Sequence, residues 1–277
     1  VIGPRILGGG SPRLTVLSLG AGVQSTTLAL MAAYGEIPAP DCAIFADTGW
    51  EPRAVYDHLD RLEARLPFPV YRVSAGNLRE DVVKKASTTR SAGRFAAVPW
   101  FTSGGGMVRR QCTAHYKIEP LAKKQRQLVG AVPRQRLPPE CVHVLIGIST
   151  DEAHRMKPAR NRWQRNVWPL IELSMSRAAC QKWLQERQWN APKSSCIGCP
   201  YHSNAMWRDM RDNAPDEWAD AVAVDKAIRT SGALRGMRDQ QFMHRSLKPL
   251  DEVDLRTSAE KGQPDLFGQE CDGMCGV

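Results

Sequence analysis

The segment Ser18-Leu19-Gly20-Ala21-Gly22-Val23-Gln24-Ser25-Thr26-Thr27 sets glycines and hydroxyls between an apolar run and a helix-like run. At such a corner the first amides of the helix lack carbonyl partners, and the helix dipole adds positive potential. Gly20 and Gly22 would let phosphate oxygens approach, while Ser18, Ser25 and Thr26 add hydroxyl donors. The same corner also fits a plain tight turn between strand and helix. It is not a Walker A loop, because GK[ST] is missing. Nor is it the dinucleotide fingerprint, because no third glycine follows at the right spacing.

A second reactive group is Cys196-Ile197-Gly198-Cys199-Pro200. A C-x2-C spacing turns two thiolates toward one centre and suits zinc, an iron–sulfur cluster or a redox disulfide. Cys112 stands beside Arg109 and Arg110, whose positive field lowers a thiol pKa. Cys180 falls on a helical segment just upstream, so Cys112, Cys180, Cys196 and Cys199 make a possible four-thiolate set. His202 is either a spare ligand or a structural, hydrogen-bonded histidine. Cys42 and Cys141 sit in strand-like runs and read as small core residues. Cys271 and Cys275 belong to the closing QECDGMCGV, which is either a mobile nucleophilic tail or a loose end with incidental thiols.

The third group is charged. Asp151, Glu152 and Arg155 directly follow an apolar run, and Lys157, Arg160, Arg162 and Arg165 come after them. This stretch suits the phosphates of a nucleic acid or a sulfonucleotide, with Trp163 as a stacking face, or it is a solvated basic loop. The whole chain of 277 residues carries 38 Lys and Arg against 29 Asp and Glu, a net charge of +9, which favours an anionic partner. No apolar run reaches the roughly 18–20 residues of a membrane span. The opening residues hold no apolar core followed by a small-residue cleavage site. A cytoplasmic protein without a membrane partner is expected, and its eight cysteines are then thiols, ligands or redox groups rather than structural disulfides.

The elements that must position these residues alternate. LTVLSL, CAIFAD, PVYRV and CVHVLIGI read as strands; residues 24–34, 52–66 and 119–129 read as helices between them. Such alternation predicts an α/β fold, a parallel sheet with helices on both faces, whose ligands bind beyond the carboxyl ends of the strands. Residues 87–110, with the triplet Gly104–Gly106, read as a lid or a surface connection. Residues 176–188, 204–212 and 215–230 read as helices of a small cysteine-containing region, with Met206, Trp207 and Trp218 in its core. The expected division is 1–172 for the α/β unit, 173–247 for the helical region and 248–277 for an extended tail.

SLGAGVQSTTL followed by FADTGWEPRAVYDHL resembles the PP-loop superfamily of adenine-nucleotide enzymes, the adenine nucleotide alpha-hydrolase-like proteins. More narrowly it is similar to the phosphoadenosine-phosphosulfate reductase-like branch. Against the usual SGGxDS loop, Gly22 and Ser25 match, Gly20 replaces the first serine and Gln24 replaces the aspartate. The resemblance continues through RRQCTAHYKIEPL and IGISTDEAHR and covers most of residues 14–200.

The resemblance implies about five parallel strands and ATP, or an adenylyl sulfonucleotide, at the loop. Its site would use Ser18, Gly20, Gly22, Gln24, Ser25, Thr26, Thr48, Gly49, Glu51, Gly147, Asp151 and Arg155, with Asp47 helping to hold Mg²⁺. Members that use ATP attach AMP to an oxygen, and a nucleophile then displaces it. Related cluster-bearing enzymes imply a 4Fe–4S centre, or zinc, on Cys112, Cys180, Cys196 and Cys199. One reductase type has a Cys-Cys pair where this chain has Gln111-Cys112, which makes Cys180 the substitute. Cluster-free reductases carry a nucleophile in an ECG-H stretch that Glu270-Cys271 partly matches. The expected function is adenylation of an oxygen, on a nucleic-acid base, coupled to sulfur transfer, with Asp47, Cys112 and Cys271 as catalytic candidates. The alternatives are a sulfonucleotide reductase releasing sulfite and a non-catalytic nucleotide or nucleic-acid binding module. Expected partners are an adenine nucleotide, RNA or DNA, and a sulfur donor or thiol reductant protein.

Overall fold

A computed structural model of the chain describes residues 12–87, 98–234, 239–257 and 259–262. β1 (Leu14–Ser18) leads into α1 (Val23–Ala33), β2 (Cys42–Asp47) into α2 (Arg53–Glu63), and β3 (Val70–Ser74) into α3 (Leu78–Ser87). A two-residue β4 (Phe101–Thr102) follows, then a π-helical turn (Thr113–Ile118) that runs directly into α4 (Glu119–Leu128). β5 (Val142–Ile146) is joined to β6 (Gln164–Val167) through a 3₁₀ segment (Thr150–Arg155). The remaining elements are α5 (Pro169–Glu172), α6 (Arg177–Glu186), α7 (Asn204–Asn213), α8 (Pro215–Leu234) and β7 (Gln241–Phe242).

The main sheet has the order β3-β2-β1-β5-β6 and is parallel throughout. Alternation along each strand divides its side chains between two cores. Leu17, Ala43, Phe45 and Leu145 pack toward α1, α2 and α6. Val16, Ile44, Val144 and Ile146 pack on the opposite face, with Leu121 and Leu128 of α4. Burial on both faces is why β1, β2 and β5 are written as almost unbroken apolar runs. The edge strand β3 alternates instead, and its Arg72 turns outward to Asp60 and Glu63. The expected parallel sheet of five strands covered on both faces is present. Its fifth member, β6, has the polar sequence QRNV and was not among the strands expected.

A third core lies over the carboxyl end of the sheet and joins Trp50, Leu78, Tyr116, Trp207, Val224 and Ile228. It packs α3 against α8 and α7 against α8. The expected break at residue 172 does not follow this packing. α6 belongs with α1, while α3, from the first half of the chain, belongs with α8. The expected extended tail is also corrected in part. Leu250 and Leu255 are buried in the third core, where their apolar side chains give residues 248–257 a fixed seat. Trp207 is a core residue as expected, whereas Met206 lines a cavity. Cys42 and Cys141 are buried, also as expected. Of the expected lid segment, residues 88–97 lie outside the described residues. No helix among the described residues is long and apolar enough to cross a membrane.

Leu59 of α2 is fully buried in the core shared with α1. Leu59→Ala should cost about 2–5 kcal/mol of unfolding free energy, measured by urea titration followed by circular dichroism.

Candidate functional site

The strand order reverses at β1, whose neighbours β2 and β5 are followed in sequence in opposite directions across the sheet. A crevice opens beyond the carboxyl ends of two such strands. The pairing Ser18↔Ile146 sets the loops after β1 and β5 side by side. Gly147 makes that approach possible: a Cβ there would lie 2.8 Å from the amide nitrogen of Ser25. Gly22 serves the opposite wall, since a Cβ on it would meet Ser194 Oγ at 2.5 Å. Between Gly20 and Gly22, Ala21 takes a positive φ of 56°, a strained conformation for a non-glycine residue. Ser25 Oγ accepts from the Gly20 amide at 3.2 Å and donates to the Gly22 carbonyl at 3.3 Å, which closes the corner on itself.

This corner is one wall of a pocket of about 100 Å³. Ser18, Gly20, Gly22, Gln24, Ser25, Gly147 and Arg155, all candidates from the sequence, line it. Arg177, Lys193, Ser194 and Ser195 join them and were missed. Arg177 opens α6, and its distance in sequence from the corner gave no sign of it. Lys193, Ser194 and Ser195 directly precede the C-x2-C pair, and KSSC abutting a reactive motif was the available signal.

Gln24 organises the charges of the pocket. Its Nε2 donates to Glu152 Oε2 at 3.1 Å and to Ser149 Oγ at 3.4 Å. Its Oε1 accepts from Arg177 Nη1 at 3.2 Å. Glu152 Oε2 is also paired with Arg155 Nη1 at 2.7 Å. An aspartate at position 24 could only accept, and it would face Glu152 with like charge. A neutral amide bridges the carboxylate and the guanidinium instead. Burial raises the Glu152 pKa, and the charges of the Arg155 and Arg177 guanidiniums oppose that rise.

Several expected ligands point elsewhere. Thr26 is fully buried and its hydroxyl meets His58 Nε2 at 3.0 Å, so it faces α2 rather than the pocket. Asp47 does not line the pocket; its Oδ1 accepts from the Gly49 amide and from Tyr56 Oη, each at 2.7 Å. Thr48 donates to Glu51 Oε1 at 3.0 Å. Glu51 is buried against Lys117 Nζ at 3.2 Å and Cys196 Sγ at 3.5 Å. Asp151 is exposed and accepts from the Arg177 amide at 2.9 Å. Asp47, Thr48, Gly49 and Glu51 therefore serve the turn after β2 and the cysteine site, because that turn is pulled under Trp50 and toward Cys196.

Cys112, Cys196 and Cys199 line one cavity of about 20 Å³, with Trp50, Arg110 and Tyr201 around them. Cys180 is not there. It is buried between α6 and α1, near Thr27, and burial pushes its thiol up to about 11. The expected four-thiolate set is thus not assembled: one member faces a different core. A cavity of this size holds about one water, and among the described residues no three His, Cys, Asp or Glu side chains stand together in a way that could hold a metal ion. These residues do not fit a four-ligand cluster or a zinc centre as arranged. Cys271 and Cys275 lie outside the described residues.

A larger chamber of about 790 Å³ adjoins the pocket and shares Pro192, Lys193, Ser195 and Met206 with it. Its remaining walls come from the start of α2 and from α7 and α8, and they include Asp57, Asp209, Asp216 and Glu217. At the junction Ser195 Oγ meets His202 Nε2 at 2.8 Å. His202 is thus a hydrogen-bonded residue rather than a ligand. Its Nδ1 is buried with no hydrogen-bond partner among the described residues. Burial, helped by the Lys193 charge, pushes its pKa down to about 3, so the ring is neutral.

Neither a scan against protein-family models nor a search of curated proteins finds a match. Among solved structures, the chain is similar to the crystal structure of phosphoadenylyl-sulfate (PAPS) reductase from Candida auris in a phosphate complex. The two share 13% identity at a TM-score of 0.44, over 68% of this chain and 77% of that chain.

Buried histidines make stability depend on pH, and His143, also lowered by burial, adds to the two largest shifts. Burial lowers His58 to about 4 and His202 to about 3, whereas both return to an ordinary value near 6.5 on unfolding. Below pH ~6.5 the unfolded chain binds the extra protons, so stability falls with acidification until the folded values are reached. Urea unfolding between pH 7 and pH 4 should show that fall. His202→Gln should reduce its slope by about 1.4 kcal/mol per pH unit.

Proposed function

We propose that the chain binds ATP with its phosphates in the Gly20–Gly22 pocket and transfers the adenylyl group to an oxygen of an acceptor held in the adjoining chamber. One observation carries this reading. The corner after β1 converges with Arg155, Arg177 and Lys193 on a pocket too small for a whole nucleotide, and a chamber with room for another molecule adjoins it across shared lining residues. Backbone amides and cations fixed around a phosphate stabilise the charge that develops on a leaving pyrophosphate.

The acceptor oxygen would attack the α-phosphorus as the bond to the bridging oxygen of pyrophosphate breaks. Pyrophosphate leaves with the bonding electron pair, and the acceptor becomes an adenylate, from which AMP is a good leaving group. Arg177 and Lys193 would hold the departing phosphates. Ser194, seated over Gly22, would close the pocket on that side, with Ser195 beside it in the lining. An acceptor base of a nucleic acid is compatible with the charge distribution. The chamber walls are rich in carboxylates, but the exposed Lys157, Arg160 and Arg162 follow Arg155 along the chain and offer a polyanion's backbone a place outside it. Cys112, Cys196 and Cys199 share a cavity that Cys180 does not reach, so the four thiolates do not form one centre and the adenylyl transfer uses none of them.

Titration calorimetry with ATP tests the reading, together with pyrophosphate release in the presence and absence of RNA or DNA. Arg177→Gln and Lys193→Gln should each weaken ATP binding about 10–100-fold, the weight of one charge-assisted hydrogen bond. Failure to take up ATP would remove the proposal, and sulfite release from phosphoadenylyl sulfate would replace it with a reductase.

A further inference from the structure

From the contacts of Gln24 we infer that Glu152, rather than Asp47, is the carboxylate that holds the nucleotide's Mg²⁺. The inference rests on the nucleotide reading above. Glu152 lines the phosphate pocket, and Asp47 does not. Both hydrogen bonds to its carboxylate among the described residues, from Gln24 Nε2 at 3.1 Å and Arg155 Nη1 at 2.7 Å, use the same oxygen, Oε2. Oε1 is left without a hydrogen-bond partner among the described residues and is not a buried orphan, so it remains accessible. Two donors on Oε2 hold the side chain in place with one oxygen unused.

The charges point the same way. Arg155 is neutralised in part by Glu152, so a triphosphate at this pocket meets a carboxylate as well as cations. Mg²⁺ is commonly held by one or two carboxylates, with the substrate's phosphate oxygens and waters completing its shell. A single fixed carboxylate in a phosphate pocket meets that requirement, and a cluster of protein ligands is not needed. Without a metal the same carboxylate would repel the phosphates. The residue therefore has opposite effects on free ATP and on its magnesium complex.

That reversal of sign supplies the test. ATP binding is measured by titration calorimetry in the presence of Mg²⁺ and in the presence of EDTA, for the unaltered chain, Glu152→Gln, Glu152→Asp and Asp47→Asn. The unaltered chain should bind ATP at least about tenfold more tightly with Mg²⁺. Glu152→Gln should bind ATP in EDTA as tightly as the unaltered chain or more so, and Mg²⁺ should change its affinity less than about twofold. Glu152→Asp should recover part of the Mg²⁺ effect, and Asp47→Asn should keep all of it. ATP binding in EDTA also shows that the Glu152→Gln pocket is folded. Full Mg²⁺ enhancement in Glu152→Gln, or its loss in Asp47→Asn alone, would overturn the assignment while the nucleotide reading stands. An unaltered chain that binds ATP without regard to Mg²⁺ would do the same. Absence of ATP binding in every condition would overturn both.

Discussion

The site depends on one close approach of backbone to backbone. β1 and β5 run side by side in register, and where they end the chain at Gly147 comes up against the amide of Ser25. That contact fixes the first turn of α1 relative to the loop that carries Glu152 and Arg155. Everything that faces the pocket from either side is held by it. A side chain at 147 would push against backbone atoms, which have far less freedom to move than the end of a flexible side chain. The strain at Ala21 lies in the same corner, in a residue with no solvent exposure, and is maintained by the packing around it.

Sequence alone made the sheet legible because burial on both faces writes a strand as an apolar run. β1, β2 and β5 were visible for that reason, and so was the corner that follows β1. β6 was not, because an edge strand needs only one apolar face and this one reads QRNV. The π-helical turn at Thr113–Ile118 was also hidden, since it differs from the start of α4 by hydrogen-bond spacing rather than by residue type. Of the site, the part contributed by contiguous sequence could be read. Arg177 could not, because its presence depends on how α6 lies against α1, and packing angles are not written in local pattern.

The cysteines show where spacing misleads. Cys196 and Cys199 are close because two residues separate them, and Cys112 reaches the same cavity. Cys180 lies fewer residues from Cys196 than Cys112 does, yet it faces the other core. A helix has several faces, and which one a residue occupies decides its company. The DTG segment departs from expectation in a related way. Its carboxylates were placed by resemblance near the nucleotide, but Asp47 turns to Tyr56 and Glu51 Oε1 to Lys117, partners the motif does not name, while Glu51 Oε2 is buried with no hydrogen-bond partner among the described residues.

The cysteine knuckle is also locked to the turn after β2. The Ile197 amide donates to the Trp50 carbonyl at 2.8 Å, and the indole ring of Trp50 occupies the space a side chain on residue 198 would need. Trp50 in turn donates from Nε1 to Asp220 on α8 at 2.7 Å. The knuckle, the β2 turn and the long C-terminal helix are therefore one mechanical unit. Any chemical event that repositions Cys196 must move the indole or break its anchor, and the fluorescence of Trp50 is a natural reporter of the state of those sulfurs.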